Sequence, residues 1–250
     1  MPLYPVWRCQ NGCCDFVYVT SQVHSPSATI AMKNTQTALG LVISSLSDQN
    51  YERSLDCFCL WFRIGQKYTQ NLSDLIFDAI CGYRLKGSWN NLYRGYPIGH
   101  LIPRFVDDVE SDPLFAPYTT ELRSRFCAEI VQGFFDSNVE NMVKNDNFVL
   151  FHAEVNLIAH CVNLGYIEED IIRDYILQSL ISHSKLHDHQ ADALVILFKI
   201  AGATFGAYVD PAVVDHCFQL LKNYNYKQNT YGRPAGVVHV GMFSAQKRWN

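Results

Sequence analysis

Charge is scarce in this chain, and where it occurs it is nearly balanced. Only 18% of the residues are Asp, Glu, Lys or Arg, and 20 basic residues face 24 acidic ones for a formal net charge of −4. No global positive field exists to gather phosphate backbones, so any nucleic-acid contact has to be local. Long apolar runs are missing as well: no stretch reaches the roughly 18 residues that a membrane span requires. The first residues carry Trp7 and Arg8 but no basic segment followed by an apolar run of the secretory type. A soluble, cytoplasmic protein is the expectation. Disorder is excluded too, because hydrophobic residues make up 48% of the 250 positions.

The familiar constellations of chemistry are also lacking. Cys9, Cys13, Cys14 and His24 have four ligand atoms in number but not the paired spacing of a zinc site. His183, His187, Asp188 and His189 would either hold a divalent ion or form a polar turn in which Asp188 caps the next helix, and the turn is the preferred reading. Cys161 with His160 or His152 resembles a nucleophile and base, yet the two histidines are about 12 Å apart along one helix and cannot converge on a reacting atom. Gly232-Arg233-Pro234-Ala235-Gly236 lacks the lysine and hydroxyl of a phosphate-binding loop. No catalytic, cofactor-binding or metal-binding residue is assigned, and neither a cofactor nor a small-molecule substrate is expected. The chain reads as a non-enzyme. Six of its nine cysteines, Cys57, Cys59, Cys81, Cys127, Cys161 and Cys217, sit in apolar helix-like runs and read as reduced core residues.

What is present is helical periodicity. From Thr35 onward apolar residues recur at spacings of three and four, in segments parted by short polar breaks. The spacing predicts helices over 36–46, 51–68, from Asn71 to about Gly82, from Thr119 or Thr120 through Phe134, over 148–164, 168–181 and 189–205, and from Pro211 to about Tyr224. Pro97 and Pro103 predict two short helices or one broken one between Ser88 and Val109. Asp146 or Asn147 is positioned to cap the helix at Phe148, and Asp210 to cap the one at Pro211. Residues 1–34 read as an irregular leader, 35–225 as one helical-repeat domain and 226–250 as an irregular tail.

The helices repeat. Tyr166-Ile167-Glu168-Glu169-Asp170-Ile171-Ile172 aligns with Tyr208-Val209-Asp210-Pro211-Ala212-Val213-Val214 at an offset of 42 residues, within the ~40–47 residue period of HEAT-type hairpins. Asp74-Leu75-Ile76-Phe77-Asp78-Ala79-Ile80 resembles Asp170 to Ile176 in the same way. A single hairpin cannot bury its apolar face alone, so the expected fold is all-α: an α-solenoid of stacked antiparallel hairpins.

The ordered succession of these segments resembles the middle domain of eukaryotic translation initiation factor 4G. Cys161-Val162-Asn163-Leu164-Gly165-Tyr166-Ile167, then Asp170-Ile171-Ile172, then Asp188 to Gly202 match that family's order and spacing. Upstream, Ala38 to Tyr51, Leu75 to Ile80 and Leu122 to Gly133 resemble its earlier helices, so the likeness covers Thr35 to Tyr224. Two departures stand out: Leu92-Tyr93-Arg94-Gly95-Tyr96-Pro97 replaces an uninterrupted family helix, and the arginine-rich final helical pair has no counterpart after Tyr224. The resemblance implies a scaffold in messenger RNA translation initiation that docks a DEAD-box RNA helicase of the initiation factor 4A type and contacts mRNA weakly. The alternative it implies is a regulatory module of mRNA decay or cap-binding complexes that binds a helicase without stimulating it. Neither reading assigns particular residues to the partner.

Overall fold

The computed structural model of the chain describes residues 3–10, 13–20, 28–84, 98–144, 148–182 and 186–224. Residues 28–224, where described, are all-helical. Helices α1 (Ala28–Ser44), α2 (Tyr51–Gly65), α3 (Leu72–Ile80), α4 (Ile98–Ser111), α5 (Leu122–Lys144) and α6 (Phe148–Asn163) are followed by a π-helical turn, Ile171–Leu177, that runs into α7 (Gln178–Ile181). Helices α8 (Asp188–Tyr208) and α9 (Pro211–Asn223) complete the body, and short 3-10 turns occupy Cys81–Arg84 and Ala116–Tyr118.

The expected irregular leader is corrected at two points. Strands β1 (Leu3–Gln10) and β2 (Cys13–Thr20) pair antiparallel with Leu3 opposite Thr20 and Gln10 opposite Cys13, and α1 begins at Ala28, ahead of Thr35. The sequence between the strands is Asn11-Gly12, a dipeptide favoured in two-residue hairpin loops. That local signal was available in the sequence but is too short to register as periodicity.

Local chemistry sets several helix ends. Asn50 closes the gap after α1, its Oδ1 accepting from the Ser47 amide at 2.7 Å and its Nδ2 donating to the Ser45 carbonyl at 2.8 Å. Asn71 caps α3 through the Asp74 amide, and Asp210 caps α9 through the Ala212 amide at 2.8 Å, with Pro211 next in line. Helix α6 stops at Gly165, whose φ of 70° lets the Tyr166 amide reach back to the Cys161 carbonyl at 2.9 Å and the Gly165 amide to Val162 at 3.0 Å. Gly206, expected as a stop, lies inside α8 instead; only Gly165 among the described glycines has a positive φ. Pro103 likewise sits within α4. It is the sixth residue there, so the single bond it forfeits is to Gly99 in the first turn, and one unbroken helix results. Pro97, the 92–97 departure and the cap at 146–147 lie outside the described residues.

Long-range contacts join the helices to one another. Helices α2 and α4 meet through aromatic rings, Tyr51 and Phe58 against Phe105 at 6.2 and 5.1 Å between centroids, and Phe62 reaches Phe115, just past the end of α4, at 4.8 Å. Helix α4 lies along α6, with His100 beside His160 and the Tyr166 hydroxyl donating to the Pro103 carbonyl at 3.5 Å. Helix α6 lies along α8, with His152 facing Asp192 and Asn163 bonded to both Ile200 and Thr204. In each pair the contacts advance in the same direction along both helices, so α2, α4, α6 and α8 run parallel. Helix α8 has the length and composition of a membrane span, but its buried positions include His189 and Gln190 as well as Leu194, Leu197 and Phe198, and it packs on α6 and α9.

One close approach depends on the absence of a side chain. A Cβ on Gly82 would fall 2.6 Å from the Gly40 Cα and 2.7 Å from its carbonyl oxygen, whereas a Cβ on Gly40 would sit an ordinary 3.8 Å from the Gly82 Cα. Backbone cannot swing aside as a side chain does. Gly82→Ala is expected to lower stability by about 1–3 kcal/mol through overpacking, with Gly40→Ala the milder change; denaturant melts of the two variants check the asymmetry, and equal losses would refute it.

Candidate functional site

Arg123, in the first turn of α5, organises the junction of α4, α5 and the turn after α6. Its guanidinium reaches the Asp107 and Glu110 carboxylates, both at 2.7 Å, and its backbone amide donates to Glu110 at 2.9 Å. The same guanidinium lies over the Tyr166 ring at 4.5 Å. Burial, and then the neighbouring Asp107 carboxylate, hold the Tyr166 phenol well above its ordinary value. The arrangement clamps the turn beginning at Gly165 against the preceding hairpin. Sequence reasoning missed it, since a carboxylate pair on one helix, a cation on the next and a tyrosine beyond a third converge only in space.

Beneath this clamp, Cys161 is fully buried. A hydrogen bond with Cys127 and its own burial push its thiol well above the ordinary range, the opposite of what a nucleophile needs. His160 faces His100, and burial followed by the charge of that neighbour lowers it to about 4. His152 turns elsewhere, to Asp192, with 3.6 Å between Nε2 and Oδ2. The three side chains considered together in the sequence are thus held at separate places.

The histidine cluster at the start of α8 is also rearranged. His189 is buried, its Nε2 3.0 Å from the Asn138 Oδ1 and its ring edge-on to Phe151. His187, not Asp188, occupies the cap position, and the Gln190 Oε1 accepts from the His187 amide at 3.1 Å. Asp188 is the first helical residue and accepts from the Tyr224 hydroxyl. The expected Asp188 cap is therefore corrected by one residue, because a carboxylate facing the end of α9 finds a tertiary partner there. Burial lowers His152 to about 3 and His189 to about 4, and it raises Asp192 to about 6. Among the described residues no three His, Cys, Asp or Glu side chains are grouped to hold a metal. His183, His24 and the Gly232–Gly236 segment lie outside the described residues, as do the side chains of Cys9, Cys13 and Cys14.

The surface offers a different kind of feature. Because alternate helices run parallel, the turns that follow α2, α4, α6 and α8 gather along one edge of the body. Along it a cavity of about 290 Å³ opens between the first two turns, lined by Gln70, Asn71, Ser73, Tyr118, Thr120 and Glu121. Farther along, Leu164 and Tyr208 are 50% and 56% exposed, far above what large apolar side chains show in the interior. Carboxylates flank them at Glu168, Glu169, Asp170 and Asp210. Such an edge presents exposed apolar and acidic side chains side by side. No family model matches the sequence and no curated protein matches it, so the assignment of this chain rests on its own residues and on this geometry.

Proposed function

We propose that this chain is a HEAT-type solenoid of the initiation factor 4G middle-domain kind, and that it works in the cytoplasm as a non-enzymatic scaffold docking a DEAD-box RNA helicase. One observation carries the proposal. Helices α6 and α8 lie parallel with His152 against Asp192 and Asn163 against Thr204, so facing residues are 192 − 152 = 40 and 204 − 163 = 41 positions apart, close to the 42-residue offset of the sequence repeat. Equivalent positions are also buried alike: Ile167 and Val209 are 5% and 3% exposed, and Ile172 and Val214 are 3% and 7%. Hairpins related in this way share a continuous core and leave a long edge of turns available to partners.

The net charge of −4 favours protein docking over strong RNA binding. A pull-down of a DEAD-box helicase of the initiation factor 4A type, coupled to its ATPase assay, tests the reading. Binding with stimulated ATP hydrolysis is the expected result. Binding without stimulation moves the chain to the regulatory alternative, and no affinity for any such helicase overturns both.

A further inference from the structure

The repeat makes Tyr166 and Tyr208 equivalent, yet their surroundings differ. Tyr166 is covered, with the Arg123 guanidinium over its ring at 4.5 Å while that same group pairs with Asp107 and Glu110 at 2.7 Å. Tyr208 is 56% exposed. Arg123 stands at the start of α5, the helix that precedes α6 and Tyr166. At the start of the helical segment that precedes α8 and Tyr208 the chain carries Glu168, Glu169 and Asp170 instead. The cation nearest to these carboxylates in sequence, Arg173, is engaged with Asp174 through two contacts of 2.7 Å. The second site therefore keeps the aromatic ring but carries carboxylates in the place where the first carries its guanidinium.

We propose that Tyr208, Leu164 and the carboxylates Glu168, Glu169, Asp170 and Asp210 form a docking surface for an arginine-bearing segment of a protein partner, whose guanidinium covers Tyr208 as Arg123 covers Tyr166. Charge complementarity selects the occupant. A planar guanidinium stacks on an aromatic face and bridges carboxylates in fork geometry, which an ammonium does less well. A phosphate backbone would be repelled by the same acids, so the surface faces protein and not RNA. Leu164 supplies the apolar contact beside it: the side chain of its neighbour Asn163 bonds Thr204 at 2.7 Å, one turn before Tyr208. The inference rests on the reading of the chain as a protein scaffold and names the chemistry of the partner.

Titration of the full chain with a fluorescein-labelled octa-arginine peptide, against octa-lysine, at about 150 mM salt where long-range attraction is screened, tests this surface. Arginine is expected to bind at least several-fold more tightly than lysine, and amide-exchange protection should appear at 163–171 and 204–212. Tyr208→Ala, and separately Glu168→Lys with Glu169→Lys, should weaken binding tenfold or more, while Tyr68→Ala at the far turn leaves it unchanged. All these side chains are exposed, so each variant should fold, and circular dichroism verifies that. Binding within twofold of the parent in both Tyr208→Ala and the lysine variant, or protection at other segments only, overturns the proposal. Self-association of the peptide-free chain that Tyr208→Ala abolishes would assign the surface to a second copy and overturn it equally. Failure of helicase capture with peptide binding intact removes the helicase reading and leaves this surface standing.

Discussion

Phe105→Ala should lower the stability of this protein by about 3–5 kcal/mol, a large fraction of what a domain of this size possesses. Phe105 is fully buried in the middle of α4. Its ring meets Tyr51 at 6.2 Å and Phe58 at 5.1 Å, both nearly perpendicular, and Phe58 passes the contact on to Phe115 at 5.6 Å. Edge-to-face rings of this kind contribute about 0.5–1.5 kcal/mol per pair beyond their buried area. These rings fill the contact between α2 and α4, so truncation leaves a cavity there. Phe105→Leu should cost clearly less. Chemical denaturation of parent, Phe105→Ala and Phe105→Leu checks the ranking; a loss under about 1 kcal/mol for the alanine variant would show that the first two hairpins do not depend on this stack.

Acid is expected to destabilise the fold steeply, beginning just below pH 6.5. Burial lowers His152 to about 3, and His189 and His160 to about 4, whereas in the unfolded chain each titrates near 6.5. Between those limits the unfolded state binds the protons and the native state does not, so stability falls as pH falls. Asp192 acts in the opposite sense: raised to about 6 by burial, it takes up its proton earlier when folded and offsets one imidazole between pH 6 and about 4. His160 is only half-buried, so solvent screens part of its share. Three imidazoles against one carboxyl then leave between one and two protons, or about 1.4–2.7 kcal/mol per pH unit. Below pH 6 Asp192 is also neutral, so it offers His152 no compensating charge in the window where the imidazole would need it. Denaturant melts at pH 7, 6 and 5, repeated for His152→Gln with His189→Gln, measure the slope. The double variant should flatten it, and a parent protein equally stable at pH 7 and 5 would defeat the argument.

Much of the body was legible from local pattern. The ends of α3, α6 and α9 follow from Asn71, Gly165 and Asp210-Pro211, because a cap is a bond between residues two to five apart and travels with the sequence. The 42-residue offset was visible for the same reason, and the aligned residues Ile167 and Val209, and Ile172 and Val214, are all buried. Some local readings failed. Gly206 reads as a stop, yet α8 continues through it; Asp188 reads as a cap, yet distant chain intervenes and it turns to Tyr224. Thr119 or Thr120 reads as a cap for α5, but the helix begins at Leu122, and Thr119 is buried beside the 3-10 turn with its carbonyl accepting from the Leu122 amide at 2.9 Å.

The candidate surface divides the same way. Sequence alone determined that the chain is helical, where several helices stop, and that two turn segments align at an offset of 42 residues, since all three depend on short-range periodicity and hydrogen bonding. Only tertiary structure decided that Arg123 reaches across two carboxylates to cover Tyr166, that His152 and His160 serve different neighbours, and that Tyr208 stands uncovered. Those outcomes depend on distances between residues far apart in the chain, and spacing along a polypeptide carries no information about them until the helices have packed.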